Sequence, residues 1–277
     1  FPQRYYECGI AEANMIGVAS GMALTGKVPF AGSFAEFVTG RVYDQIRMEV
    51  CYGKTNVKIA SSHAGVTLGE DGATHQTMED IALMRVLPDM VVINPCDWTQ
   101  TKNATIAAAK YDGPVYLRFG RPKVADFMPD EPFEIGKAYV LNEGKDVSIF
   151  ATGHMVWEAL QAAEALEAEG ICAEIIDIAT IKPLDTKAVL ASAIKTGAVV
   201  VAEEHNMAGG LGELIAGVLA ATSPKPIEYV NGKDEFGQSG TPSELLAAYG
   251  GRQKGSGKEI TEFFIKNRKK LGDVYVS

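Results

Sequence analysis

Four short stretches of this sequence carry side chains able to move protons, stack on a flat ring or hold an anion. The first is Gly9-Ile10-Ala11-Glu12-Ala13-Asn14-Met15, in which one carboxylate opens an otherwise apolar, small-residue run. Glu12 has two readings. A first-turn acid offsets the positive end of a helix dipole; a buried acid shares a proton with a ligand. The second stretch, His63 to Gln76, holds two of the four histidines, with Glu70 and Asp71 between them and Gly69, Gly72 and Thr74 around them. The spacing matches neither H-E-x-x-H nor a histidine pair three to five residues apart, so it gives no metal motif. A structural loop with satisfied histidines and a substrate-binding loop both remain open. Third, Phe34 and Phe37 lie three apart, a spacing that serves either a core or a stacking shelf for a flat ring. Fourth, Arg121 follows directly on Leu117-Arg118-Phe119-Gly120. A guanidinium at a strand end suits a phosphate or carboxylate, and a surface arginine at a domain edge is the alternative. The glycine run at 206–212 lacks the G-x-G-x-x-G spacing and reads as a tight turn rather than an anion site. His154 and His205 read as structural.

Alternating strands and helices must position these groups. Apolar periodicity predicts helices over 9–25, 37–52, 76–86 and 98–110, with strands at 28–32, 56–61, 90–94 and 115–119. The Gly-rich segment 63–75 falls between a strand and a helix, and loops there are where open α/β sheets bind ligands. Pro122, Pro129 and Pro132 mark 121–145 as an extended linker. A second unit then runs through a strand from 146, a helix over 156–169, a strand at 173–178, a helix over 186–196, a strand at 198–203, a helix over 212–222 and a strand at 227–230. Helices at 243–249 and 258–271 close it. Short, buried-looking strands alternating with helices imply a mainly parallel sheet covered on both faces.

The 277 residues allow two domains. Apolar residues make up 47% and charged residues 22%, and no apolar run is long enough to cross a membrane as a helix. The formal net charge of −9 argues against nucleic acid or an anionic membrane as a partner. It leaves room for a small anionic substrate held by a few local cations. Cys8, Cys51, Cys96 and Cys172 are scattered without C-x-x-C spacing, which indicates neither zinc nor a disulfide framework and fits a cytoplasmic protein. The opening Phe1-Pro2-Gln3-Arg4, without an initiator Met and without a secretory pattern, implies sequence upstream.

Taken together, GIAEANM, the Phe34/Phe37 pair, the Gly69-Glu70-Asp71-Gly72-x-Thr74-His75-Gln76 motif after His63, and Arg121 closely resemble transketolase. The likeness runs along essentially the whole chain. It implies two three-layer α/β domains: a pyrimidine-binding domain over 1–122, with its first strand and helix absent before Phe1, a linker over 123–145, and a transketolase C-terminal-type domain over 146–277. It further implies that Glu12 contacts N1′ of the thiamine diphosphate aminopyrimidine. Proton sharing there brings the ring to its imino tautomer, so that its exocyclic nitrogen can deprotonate the thiazolium. Phe34 and Phe37 match the aromatics that hold that ring; the family's third aromatic falls near Gly40, so the shelf is altered. His75 matches a histidine that contacts the donor hydroxyls, Asp71 an aspartate that reads the sugar's C2 hydroxyl, and His63 and Arg121 the groups that bind the substrate phosphate. Ala11 and Asn14 depart from the form common in relatives.

The family binds Mg²⁺ (or Ca²⁺) and the diphosphate on a G-D-G…N motif. Gly69-Glu70-Asp71-Gly72 begins Gly-Glu instead and occupies the substrate loop, so it is not read as a metal site. The resemblance therefore implies a split transketolase of the pentose phosphate type. A separate N-terminal subunit holds the metal, and homodimers or a heterotetramer form the assembly. Deoxyxylulose-phosphate synthase, the β subunit of a 2-oxo-acid dehydrogenase, and a non-catalytic assembly subunit are the alternatives.

Overall fold

The computed structural model describes residues 1–249. In chain order its elements are α1 (Glu12–Leu24), β1 (Phe30–Ala31), α2 (Ala35–Thr39), α3 (Tyr43–Gln45), a π-helical segment (Ile46–Tyr52), β2 (Lys58–Ser61), α4 (Asp80–Arg85), β3 (Val91–Ile93), α5 (Trp98–Lys110) and β4 (Val115–Arg118). They continue with β5 (Tyr139–Asn142), β6 (Val147–Ala151), α6 (Met155–Ala168), β7 (Ala173–Asp177), β8 (Thr180–Lys182), α7 (Thr186–Thr196), β9 (Val199–Asn206), α8 (Leu211–Thr222), β10 (Ile227–Gly232) and α9 (Pro242–Tyr249).

Strands β3, β4, β6 and β7 are buried at every position, as expected where helices cover both faces of a parallel sheet. Two sheets result. One has the order β1-β2-β4-β3-β8 and the other β10-β9-β6-β7-β5. All pairings are parallel except β8 on β3 and β5 on β7, one antiparallel edge strand in each sheet. Strand β8 leaves the second unit to extend the first sheet. One apolar cluster accordingly runs from Ile59 and Tyr116 through to Phe150, Ile176 and Val201. A second cluster packs α6, through Val156, Ala159 and Leu166, on the other face of the second sheet.

Polar side chains finish the helix ends. Asp97 and Asp185 accept the N–H groups of Gln100 and Ala188 at the starts of α5 and α7. Lys58 donates to the Tyr111 and Gly113 carbonyls just past α5, at 2.8 and 2.6 Å, and burial lowers its ammonium to about 8.

Several sequence-based boundaries shift. The helix expected over 37–52 is broken after Thr39; the chain turns through Gly40 and Arg41, and the remainder is α3 followed by the π-helical segment. The helix expected from 76 begins only at Asp80. Gln76 instead bonds Val66, and the Thr77 carbonyl accepts the Gly65 N–H. The 121–145 stretch, read as extended, contains the edge strand β5. The helix expected over 258–271 lies outside the described residues.

Candidate active site

The C-terminal ends of β1, β2 and β4 point to one edge of the first sheet, and the expected site residues gather there. Glu12 sits in the first turn of α1 and is 8% exposed. Its carboxylate accepts a long bond from Ser33 Oγ at 3.3 Å and pairs with Arg41 at 3.6 Å. Glu12 and Ser33 line a cavity of about 750 Å³ between α1, β1 and the N-terminal segment. Ser33 is followed by Phe34, whose ring stacks on Phe37 (centroids 5.9 Å apart, planes within 7°) and on His63 (3.8 Å, 15°). His75 meets both phenylalanines edge-on, at 6.3 Å from Phe34 and 5.3 Å from Phe37. Arg41 lies over the Phe37 ring at 4.5 Å, a cation–π contact. The turn at Gly40–Arg41 that breaks the expected helix is thus what brings a guanidinium to both Glu12 and Phe37.

The loop after β2 supplies the remaining groups. His63 adopts a left-handed backbone (φ 63°), a strained conformation for a residue with a Cβ. Its neighbours fix it there: Ser62 N–H bonds Ser33, Ala64 N–H bonds Phe119, and the Ser62 hydroxyl lies 2.7 Å from His63 Nδ1. Burial and the nearby Arg121 cation hold the imidazole below its ordinary pKa, against an opposing pull from Asp71. The shift favours the uncharged, hydrogen-bonding form of the ring, and Arg121 is the permanent cation beside it. Arg121 donates to the Leu68 carbonyl at 2.8 Å and to Glu70 at 3.2 Å, with Asp71 at 3.8 Å. Thr74 Oγ1 lies 2.9 Å from His75 Nδ1.

A flat nitrogen heterocycle fits this arrangement, since a buried carboxyl with only long contacts lies next to parallel aromatic planes and an open cavity. Glu70 and Asp71 face Arg121, and among the described residues no three His, Cys, Asp or Glu side chains are placed to hold a metal ion.

Two family models match the chain: transketolase pyrimidine binding domain over residues 1–126, and transketolase C-terminal domain over 136–255. The 6-deoxy-6-sulfo-D-fructose transketolase subunit SqwH of Clostridium sp. (strain MSTE9) is 46% identical over 250 residues, 90% of this chain and 78% of that one. The chain belongs to the transketolase family. Another relative in that family, an apulose-4-phosphate transketolase subunit of Phocaeicola vulgatus, is 37% identical over 96% of this chain and 85% of its own. A solved structure described as split gene transketolase, inactive beta4 tetramer, superposes with a TM-score of 0.89 at 47% identity, covering 98% of this chain and 86% of that one. The two mostly parallel α/β units described above are thus the pyrimidine-binding and C-terminal domains of the transketolase fold.

Some groups at this edge were not singled out in the sequence. Arg118, 3% exposed, donates to Asp80 through Nε at 2.7 Å and Nη2 at 3.1 Å, and to the Glu204 carbonyl at 2.9 Å. Tyr116 OH adds a 2.7 Å bond to Asp80. Burial pushes the Asp80 carboxyl up, but the Arg118 guanidinium outweighs it and holds the acid below its usual range. The signal was available: a charged side chain inside the apolar strand Val115–Arg118 demands a buried partner. The glycine run before α8 is a tight turn whose helix N-terminus is filled internally, because Glu203 accepts the Leu211 and Gly212 N–H groups. His205 accepts the Ala82 N–H at 3.2 Å, a structural role.

Proposed function

We propose that this transketolase-family chain is the C-terminal subunit of a split enzyme that transfers a two-carbon ketol unit from a ketose phosphate to an aldose phosphate with thiamine diphosphate. The observation that most supports this is the convergence of Glu12, Phe34, Phe37, His63 and His75 on one sheet edge beside Arg121. The bound cofactor supplies the nucleophilic carbon that accepts and releases the ketol unit. Glu12 holds and shares the proton at N1′ of its pyrimidine. Phe34 and Phe37 give that ring flat apolar faces and exclude water. His75, with Nδ1 turned to Thr74, offers its other nitrogen to a donor hydroxyl near the reacting carbonyl, and Asp71 accepts from the C2 hydroxyl of the aldose. Arg121 and His63 bind the anionic end of the sugar.

In this reading the domains span 1–122 and 146–277. Mg²⁺ (or Ca²⁺) and the diphosphate fall to an N-terminal subunit carrying G-D-G…N, in a cytoplasmic homodimeric or heterotetrameric assembly. The four cysteines are unpaired thiols, which agrees with that compartment. The likeness to SqwH favours a second donor: a guanidinium donates to a sulfonate as it does to a phosphate, so a sulfonated ketose fits the same groups. The test is reconstitution with the partner chain, followed by a substrate panel. Ketol transfer from xylulose 5-phosphate or its sulfonated counterpart is expected, with no turnover by the single chain. Turnover of pyruvate alone would overturn the reading in favour of a 2-oxo-acid enzyme.

A further inference from the structure

The loop over 63–76 has two sides. His63, Asp71 and His75 contact Phe34, Phe37 and Arg121 of the first domain. Its backbone rests on the second domain. Glu204, 7% exposed near the end of β9, accepts the Thr67 N–H at 3.0 Å through Oε1. Its other oxygen lies 3.9 Å from His154 Nδ1 at the start of α6, and its backbone carbonyl accepts from Arg118. Gln76 Nε2 donates to Val66 at one end of the loop and to Gln238 of the second domain, both at 3.0 Å.

The loop's glycines report the same closeness. A Cβ on Gly65 would stand 3.0 Å from Glu204, one on Gly72 would stand 2.6 Å from Ser239 Oγ, and one on Gly69 would touch Gly240 and Pro242. All three have positive φ, so a side chain there meets both backbone strain and the second domain. Leu245 of α9 packs with Val66 inside the loop and Met78 just beyond it.

We infer that Glu204 is a positioning residue: with the segment 237–242 it clamps the 63–76 loop from the second domain and so sets how well His63, Asp71 and His75 meet the sugar. The kinetic part of this inference rests on the ketol-transfer reading; the clamp itself does not. Removing the carboxylate leaves a buried N–H without an acceptor. It frees the loop without touching the groups that contact substrate.

The test uses the full chain in three variants. Glu204→Ala deletes the acceptor, Glu204→Gln keeps one, and Gly72→Ala wedges the loop away at Ser239. Amide hydrogen exchange is followed on the chain, and KM and kcat are measured in the reconstituted complex. The expected result for Glu204→Ala is about tenfold faster exchange over 66–76 with Lys58–Ser61 and Val115–Arg118 unchanged, about a tenfold rise in KM for the sugar, and a smaller fall in kcat. Glu204→Gln restores most of both. Unchanged loop exchange in Glu204→Ala overturns the clamp. If Glu204→Ala exchanges faster everywhere, Gly72→Ala decides, and unchanged loop exchange there overturns it. A loop that loosens in a complex whose wild type transfers no ketol unit retains the clamp and refutes the proposed function instead.

Discussion

Asp177 is fully buried at the end of β7, where Gln100 of α5 donates to Oδ2 and Oδ1 has no partner. Burial pushes its carboxyl up to about 7, with the Asp97 charge adding to the rise and the Gln100 bond opposing it. An unfolded aspartate titrates near 4. The folded chain therefore holds this proton more tightly than the unfolded chain does. The stabilisation is complete below about pH 4 and is lost as pH climbs through about 7. A gap of about three units at about 1.4 kcal/mol each is worth about 4 kcal/mol, and water entry around the ionised group brings the observed value below that. Asp177→Asn keeps an oxygen for Gln100 and cannot ionise. Urea unfolding of the two proteins from pH 4 to pH 8 should show the variant gaining on the wild type by a few kcal/mol, with most of the change between pH 5 and pH 7. A difference that stays constant across that range would refute the reasoning, because it would mean that Asp177 titrates alike in the folded and unfolded chains.

Asp80→Ala should cost about 3–5 kcal/mol in a denaturant melt, since it strands the buried Arg118 guanidinium; the double variant Asp80→Ala/Arg118→Met should recover much of the loss. Strict additivity of the two single losses would show that the pair does not act as a unit. Arg121→Gln in the reconstituted complex should raise KM for an anion-terminated ketose about 10- to 100-fold, matching the loss of about 1.5–3 kcal/mol of charged hydrogen bonding, while kcat stays within a few fold. An equal loss with a ketose lacking the anionic group would place Arg121 elsewhere in the mechanism.

The elements that alternate most regularly were legible from sequence: α1, α5 through α8 and the fully buried strands all fall close to their expected places. What escaped depended on distant partners. Strand β8 is three residues long and becomes a strand only because β3 presents a free edge to it. The break after Thr39 occurs in a stretch whose periodicity suits a helix, and is offset by what Arg41 gains over Phe37 and beside Glu12. At the site, residue types and spacing marked 9–15, 34–37 and 63–76 as candidate stretches with structural readings beside them, and the resemblance to transketolase assigned their roles. Glu204 lies 137 positions from Thr67, the residue whose N–H it accepts, and no local pattern marks it. The lowered pKa of His63 was equally out of reach, because it depends on burial and on Arg121 from another loop.

The proposed function stands on Glu12 governing proton placement on a cofactor ring in a two-chain enzyme. The most direct measurement is single-turnover ketol transfer by the complex reconstituted with the partner chain, comparing wild type with Glu12→Gln at saturating thiamine diphosphate. Because the substitution is nearly isosteric, folding and assembly should be preserved, while the rate falls by about 10²–10⁴ through loss of proton transfer. A Glu12→Gln complex that retains its rate within a few fold would contradict the account.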